Sequence, residues 1–246
     1  MTSLKQESLE SLDRQAKIEL LELLEEKARR RKYNLIDELF PEDGPLSRHN
    51  YPRHMEFFRA GAVHRERLFL AANRVGKTIA GGAEYVYHLT GRYPDWWEGR
   101  RWDRPVEALA AGDTSQTTLD IIQHKLLGGP KDTDDWGSGL IPKHLIGPVV
   151  PARGVTGLFA EIAVKHVSGG WSRLKLRSYD QGRRIFQGTE LDIAWMDEEV
   201  PYDVYEESLI RTMTTQGLIM LTFTPLSGLT PLVVSFLESK NEQEPL

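Results

Sequence analysis

The chain contains no cysteine. That excludes disulfides, cysteine–zinc sites and thiol catalysis. No apolar run approaches the ~20 residues that a membrane-crossing helix needs. The first residues are polar, unlike the apolar core of a secretory signal. A soluble intracellular protein is the expectation, with no membrane partner. Positive charge is also short: 31 Lys and Arg stand against 36 Asp and Glu, a net charge of −5. Proteins that coat nucleic acid are basic, so any DNA contact is expected on a local basic patch or shared among subunits. The seven histidines show no metal-like spacing. Asp132, Asp134 and Asp135 lack the surrounding pattern of a calcium loop. No Ser–His–Asp arrangement is legible.

What is present is enough chain for one large domain with a small appendage: 246 residues of ordinary globular composition. Leu9, Leu12, Ala16, Leu20 and Leu23 recur at three- and four-residue spacing and predict one helix over residues 4–32. It closes on three arginines and a lysine, which suit a solvated last helical turn. Pro41, Gly44 and Pro45 then break the chain. Residues 1–45 are therefore expected to form a helical appendage that packs on the main domain or on a partner, and residues 46–246 the main domain. In the latter, apolar runs at 68–72, 106–111, 191–196 and 218–224 predict buried strands. Helical patterns lie between them, after Gly76, after a cap at Thr114 or Ser115, and over 202–212. Residues 162–167 and 173–179 alternate around a Ser-Gly-Gly-Trp turn and predict a hairpin. Residues 128–157 show no period and are expected to be a long loop. The alternation of strands and helices predicts an α/β domain with a mostly parallel central sheet.

The stretch AANRVGKT at 71–78 has the chemistry of a phosphate-binding loop, with Ala71 where the first glycine is usual. A predicted strand leads in and a predicted helix leads out, so the loop's N–H groups meet a helix N-terminus, a ready anion site. Gly76 lets the backbone approach phosphate. Lys77 reaches the β- and γ-phosphates, and the Thr78 hydroxyl binds Mg²⁺. A magnesium-dependent nucleotide site also needs a carboxylate on the metal and a group that activates water. The apolar strand ending in Asp197, Glu198 and Glu199 supplies Asp197 for the first role and Glu198 for the second. Glu199 is expected to point elsewhere. Thr222 and Thr224, at the next strand end, either sense the γ-phosphate or cap the turn before Pro225.

These blocks together resemble the ATPase domain of the large terminase subunit of tailed double-stranded DNA bacteriophages. The resemblance covers about 51–237. It rests on LFLAANRVGKT at 68–78, GRYP at 91–94, QGRRIFQG at 181–188, WMDEE at 195–199 and LTFTPL at 221–226. It implies a three-layer P-loop NTPase fold of the RecA-like (ASCE) type that hydrolyses ATP with Mg²⁺ to drive packaging. In it Ala71, Ala72, Asn73, Arg74, Val75, Gly76, Lys77 and Thr78 form the Walker A loop, and Asp197 and Glu198 the Walker B carboxylate and catalytic glutamate. Thr222 and Thr224 lie in the motif that couples hydrolysis to movement. Arg74 matches a position that can act as an arginine finger in cis. Arg183, Arg184 and Arg211 are candidates for one offered in trans, or are surface ion pairs. The family often carries a glutamine that reads adenine upstream of the loop. This chain has YPRHM at 51–55, which makes Tyr51 and His54 the base-contact candidates, His54 having a structural role as its alternative.

The implied partners are double-stranded DNA, the portal protein of the procapsid and the small terminase subunit, in a ring of like subunits in the host cytoplasm. The family's full-length members carry a C-terminal nuclease domain, which this chain is not expected to hold. Two other readings remain at this stage: a nucleotide-gated assembly module with little turnover of its own, and a helicase-like ATPase on the same fold. The aromatic and arginine residues of 92–104 are read as a packed loop rather than a base-stacking surface.

Overall fold

The computed structural model describes residues 13–129 and 133–243. The N-terminal helix appears as α1 (Arg14–Tyr33), capped by the Asp13 carboxylate on the Ala16 N–H; Leu4, Leu9 and Leu12 lie outside the described residues. It buries no residue, and Ile18, Leu21, Leu23 and Leu24 stay exposed. The later part of the expected appendage does pack on the main domain: Ile36 and Phe40 are buried in its hydrophobic core, and Phe40 meets the Phe58 ring edge-on at 5.4 Å. The basic end of α1 is spent on surface ion pairs, Arg29 and Arg30 with Glu26, Arg31 with Glu38, and Lys32 with Asp135 of the main domain.

The main domain is built on a seven-stranded sheet with helices on both faces. Its strands are β1 (Glu66–Leu70), β2 (Glu107–Gly112), β3 (Ile146–Pro151), β4 (Phe159–Lys165), β5 (Trp171–Ser178), β6 (Ile193–Asp197) and β7 (Leu218–Phe223). The order is β1-β7-β6-β2-β5-β4-β3. The first five in that order are parallel, and β4 and β3 add antiparallel. Strands β6 and β7 are buried at every position, as apolar runs in a parallel sheet covered on both faces must be.

One face carries α2 (Pro52–Ala60), α3 (Lys77–Thr90) and the helical run Ser115–Thr117, Thr118–Gln123 and His124–Leu127. The other carries α4 (Tyr202–Met213) and α5 (Pro231–Gln243). Side chains alternate between the two cores along β6: Ile193 and Trp195 join the first, Ala194 and Met196 the second. Helix α3 lies close on the sheet because Gly81 faces Trp195; a Cβ there would sit 2.5 Å from the indole Nε1.

The predicted cap at Thr114 forms, its hydroxyl accepting from the Thr117 N–H, and the predicted hairpin is β4–β5. The long loop expected over 128–157 is corrected: Ile146–Pro151 is strand β3. Pro148 and Pro151 hide it in sequence, because proline in a strand belongs at an edge, where β3 lies. The aromatic loop over 92–104 is packed: Trp97 and Trp102 are buried, and the Arg100 guanidinium stacks 4.1 Å from the Trp102 ring.

Candidate functional site

Parallel strands deliver their C-terminal ends to one edge, where open α/β sheets bind ligands. Here β1, β7 and β6 are neighbours, so three segments far apart in sequence meet. The β1 loop turns on two left-handed residues, Arg74 (φ 65°) and Gly76 (φ 89°). Gly76 is the N-cap of α3 and offers no side-chain cap. The first-turn N–H groups of a fourteen-residue helix are thus left to an incoming anion.

Lys77 is buried, and its Nζ donates to the Ala72 carbonyl and to Thr224 Oγ1, both at 2.8 Å. The Thr224 hydroxyl has the Ala71 carbonyl at 2.9 Å and Asn73 Oδ1 at 2.8 Å as acceptors. Thr224 therefore stitches the end of β7 to both limbs of the loop. One strand over, Thr78 Oγ1 donates to the Asp197 carboxylate at 3.1–3.2 Å. Thr222 Oγ1 donates to the same carboxylate at 2.7 Å, and Trp195 Nε1 donates to Thr222 at 2.8 Å.

Asp197 is 2 % exposed. Burial, with the nearby Glu198 charge, raises its pKa from 3.8 to about 6 against the opposing pull of Thr222, Thr78 and Lys77. A raised folded-state pKa means stability that is complete below the unfolded value and lost as pH rises through about 6. At pH 8 the ionised, metal-free Asp197 is thus a burden of about 2–3 kcal/mol. Asp197→Asn is expected to raise the unfolding free energy of the metal-free chain by that amount at pH 8, with the gain shrinking toward zero near pH 4. Urea titrations at the two pH values check it; equal stability at pH 8 would contradict the burial argument.

Glu198 is exposed and has a left-handed backbone (φ 73°). Its N–H donates to the Thr222 carbonyl at 3.2 Å, and its carbonyl lies 3.4 Å from the Tyr179 hydroxyl. Left-handed non-glycine residues are strained and concentrate at functional sites. Four occur among the described residues, and two of them, Arg74 and Glu198, are here. Glu199 turns away and accepts from Thr230 Oγ1 at 2.6 Å.

On the other side of the loop, His54 is buried beneath Gly76, where a Cβ would lie 3.1 Å from its Nε2. Its ring packs edge-on to Tyr51 at 5.2 Å and Phe69 at 5.1 Å. Burial lowers its pKa, opposed by backbone hydrogen bonds to Gly76 and Val75. A cavity of about 770 Å³ opens here, bordered by Tyr51, His54, Ala71 and Val75.

The remaining arginines divide. Arg74 is exposed at the loop tip and makes no hydrogen bond or ion pair among the described residues. Arg184 is exposed as well. Arg183 and Arg211 both bind the buried Glu207, at 2.9 and 2.6 Å. Tyr179 and Trp195 escape the sequence reading: Tyr179 Oη donates among the carbonyls of Ala111, Asp197 and Glu198, and Trp195 fixes Thr222. Nothing in the local sequence distinguishes them from ordinary core aromatics.

The buried carboxylate of Asp197 and the Thr78 hydroxyl are hard oxygen donors that fit Mg²⁺, an ion that keeps several waters and binds through one or two carboxylates plus phosphate. Among the described residues no group of three or more His, Asp or Glu could hold a metal by itself.

The model of the family described as terminase large subunit, T4likevirus-type, N-terminal, matches residues 68–245. The chain is similar to the terminase large subunit of Salmonella phage P22, with 35% identity over 253 residues, covering 96% of this chain and 49% of that protein. It thus spans about half the length of the curated relative it matches. No solved structure matches it.

Proposed function

The chain belongs to the terminase large-subunit family, and on that premise we propose that it is the ATP-hydrolysing motor domain, of P-loop fold, that drives double-stranded DNA into a viral procapsid. The observation that carries the reading is the meeting of Thr78 with Asp197 at 3.1–3.2 Å beside Lys77, across two strand ends. In this reading Lys77 leaves Ala72 and Thr224 for the β- and γ-phosphates, and the N–H groups of residues 71–78 cradle them. Thr78 and Asp197 hold Mg²⁺, which neutralises charge on the phosphates. Glu198 accepts the proton of the attacking water. Thr222 and Thr224 report the state of the phosphate to β7, since one is bonded to Asp197 and the other to Lys77. Tyr51 and His54 border the space for the base.

Arg74 is the finger in cis. Of the three candidates in trans, Arg184 is favoured: it is exposed, whereas Arg183 and Arg211 are both engaged by the buried Glu207. The proposed partners are DNA, the portal, the small terminase subunit and neighbouring copies in a ring, in the host cytoplasm.

Steady-state phosphate release tests the proposal. Mg²⁺-dependent turnover is expected, abolished by EDTA and rising with protein concentration if a neighbour supplies an arginine. Absence of turnover across that range, with ATP bound, would favour the alternative, an assembly module that binds nucleotide without spending it.

A further inference from the structure

The left-handed turn at the tip of β6 is restrained from one side by β7, where the Glu198 N–H donates to the Thr222 carbonyl at 3.2 Å. On the other side stands one hydroxyl. Tyr179 Oη lies 3.0 Å from the Ala111 carbonyl, 3.2 Å from that of Asp197 and 3.4 Å from that of Glu198. A phenol has a single proton to donate, so the end of β2 and two successive carbonyls of the turn share it. Tyr179 follows β5 directly, and β2 lies between β5 and β6. The side chain therefore crosses the end of β2 to reach the turn, and the residue is 5 % exposed. A non-glycine residue stays left-handed where its surroundings over-determine it. At Glu198, Thr222 acts from one flank and Tyr179 from the other.

Tyr179 also opens the segment that carries the arginine candidates. Tyr179–Gln181 and Arg183–Phe186 are single 3₁₀ turns, joined at the left-handed Gly182 (φ 74°). The segment is fastened along its length. The Asp180 N–H donates to the Asp113 carbonyl at 3.1 Å. Arg183 binds Glu207 of α4 at 2.9 Å, and Arg211 of α4 donates to the Gly188 carbonyl at 3.2 Å. Phe186 is buried and stacks on the Tyr179 ring, centroids 6.4 Å apart and planes 30° apart. Arg184 is exposed on this frame. A segment held at so many points shifts as a unit, and Tyr179 is the member of it bonded to the Glu198 turn.

On the ATPase reading above, we propose that Tyr179 is the positioning residue of Glu198: its hydroxyl holds the turn that aims the carboxylate, from the same segment that presents Arg184 to a neighbouring subunit. The base and the arginine offered in trans then share one frame. A shift of the segment when a neighbour engages Arg184 re-aims Glu198 through Phe186 and Tyr179. Tyr179 itself touches neither nucleotide nor metal in this reading, so its hydroxyl bears on the rate of the chemical step and not on binding.

Tyr179→Phe removes the proton and keeps the ring with its stack on Phe186. Its kcat is expected to fall by about 10- to 100-fold, the effect of a misplaced catalytic group, with KM for ATP within about twofold of the parent's. In the nucleotide-free chain the Glu198 amide is expected to exchange about tenfold faster, while the Trp195 and Met196 amides of β6 keep the parent rate. A tyrosine that served only the core would loosen β6 as a whole and spread its cost over KM and kcat. That result would overturn the proposal, as would a parent-like Glu198 amide or a parent-like kcat. Arg184→Ala, made in the parent and in Tyr179→Phe, tests the shared frame. Linked residues give a combined loss of kcat about threefold or more below the product of the single losses; a full product would break the link. If the parent turns over no ATP, the ATPase reading fails, and exchange at Glu198 then decides by itself whether Tyr179 holds the turn.

Discussion

Glu198→Gln is expected to lower ATP turnover by about 10²–10⁴-fold, the usual worth of a general base, with ATP affinity close to the parent's. The expectation follows from how differently the two adjacent carboxylates are held. Asp197 is buried and receives hydroxyls from Thr78 and Thr222; it is fixed and already engaged. Glu198 has only its backbone anchored, through the Thr222 carbonyl and the Tyr179 hydroxyl, and its side chain is exposed. Glutamine keeps the shape and removes the basicity, so binding survives and water activation does not. Lys77→Ala provides the contrast. Lys77 sits among Ala72, Thr224 and the loop; in the proposed mechanism its charge serves phosphate in the ground state and the transition state alike, so its loss is expected to weaken binding as well as turnover. Calorimetric ATP titration beside phosphate release separates the two. Parent-rate hydrolysis by Glu198→Gln would show that Glu198 is not the base.

Strand ends are legible in this sequence because each is an apolar run that stops on a small or polar group. That is why residues 71–78, Asp197 and Thr224 stand out one at a time. Their meeting is not legible. It depends on the order β1-β7-β6, and β7 follows β1 by some 150 positions. Only the backbone ladder shows that Thr222 lies opposite Asp197 in register, which lets one hydroxyl serve the carboxylate from the side while Thr78 serves it from the loop.

Side-chain pairing is the other hidden layer. Arg183, Arg184 and Arg211 look equivalent as sequence. Glu207 separates them: it lies one helical turn before Arg211 and across from Arg183, and takes both. Strand β3 is hidden by its own prolines. The helical periodicity of α1 is plain, yet periodicity alone does not say what a face packs against, and α1 buries none of its residues.

The largest stability effect is expected from a residue with no place in the chemistry. Glu84→Ala should lower the unfolding free energy by about 3–5 kcal/mol. Glu84 is wholly buried on α3 and takes both ends of the Arg67 guanidinium, at 2.6 and 3.0 Å. Arg67 lies on β1 just before the loop, and Glu84 on the helix just after it, so the pair ties the two limbs of the loop together. The His88 ring stands 3.3 Å from the same carboxylate, with Tyr93 Oη on its other nitrogen. Burial alone would raise the Glu84 pKa, but Arg67 and His88 outweigh it and hold it below 4.5. The contribution is therefore complete above the ordinary carboxylate pKa and lost as pH falls through the lowered one. Alanine leaves Arg67 a buried cation with the Phe57 carbonyl at 2.7 Å and the Phe57 ring at 4.7 Å as its remaining support. Replacing both partners with methionine removes the stranded charge along with the pair. If the penalty is that of an orphaned ion, the double variant unfolds in urea at a higher midpoint than Glu84→Ala. A double variant no more stable than the single would mean that Glu84 contributes by packing and not by neutralising Arg67.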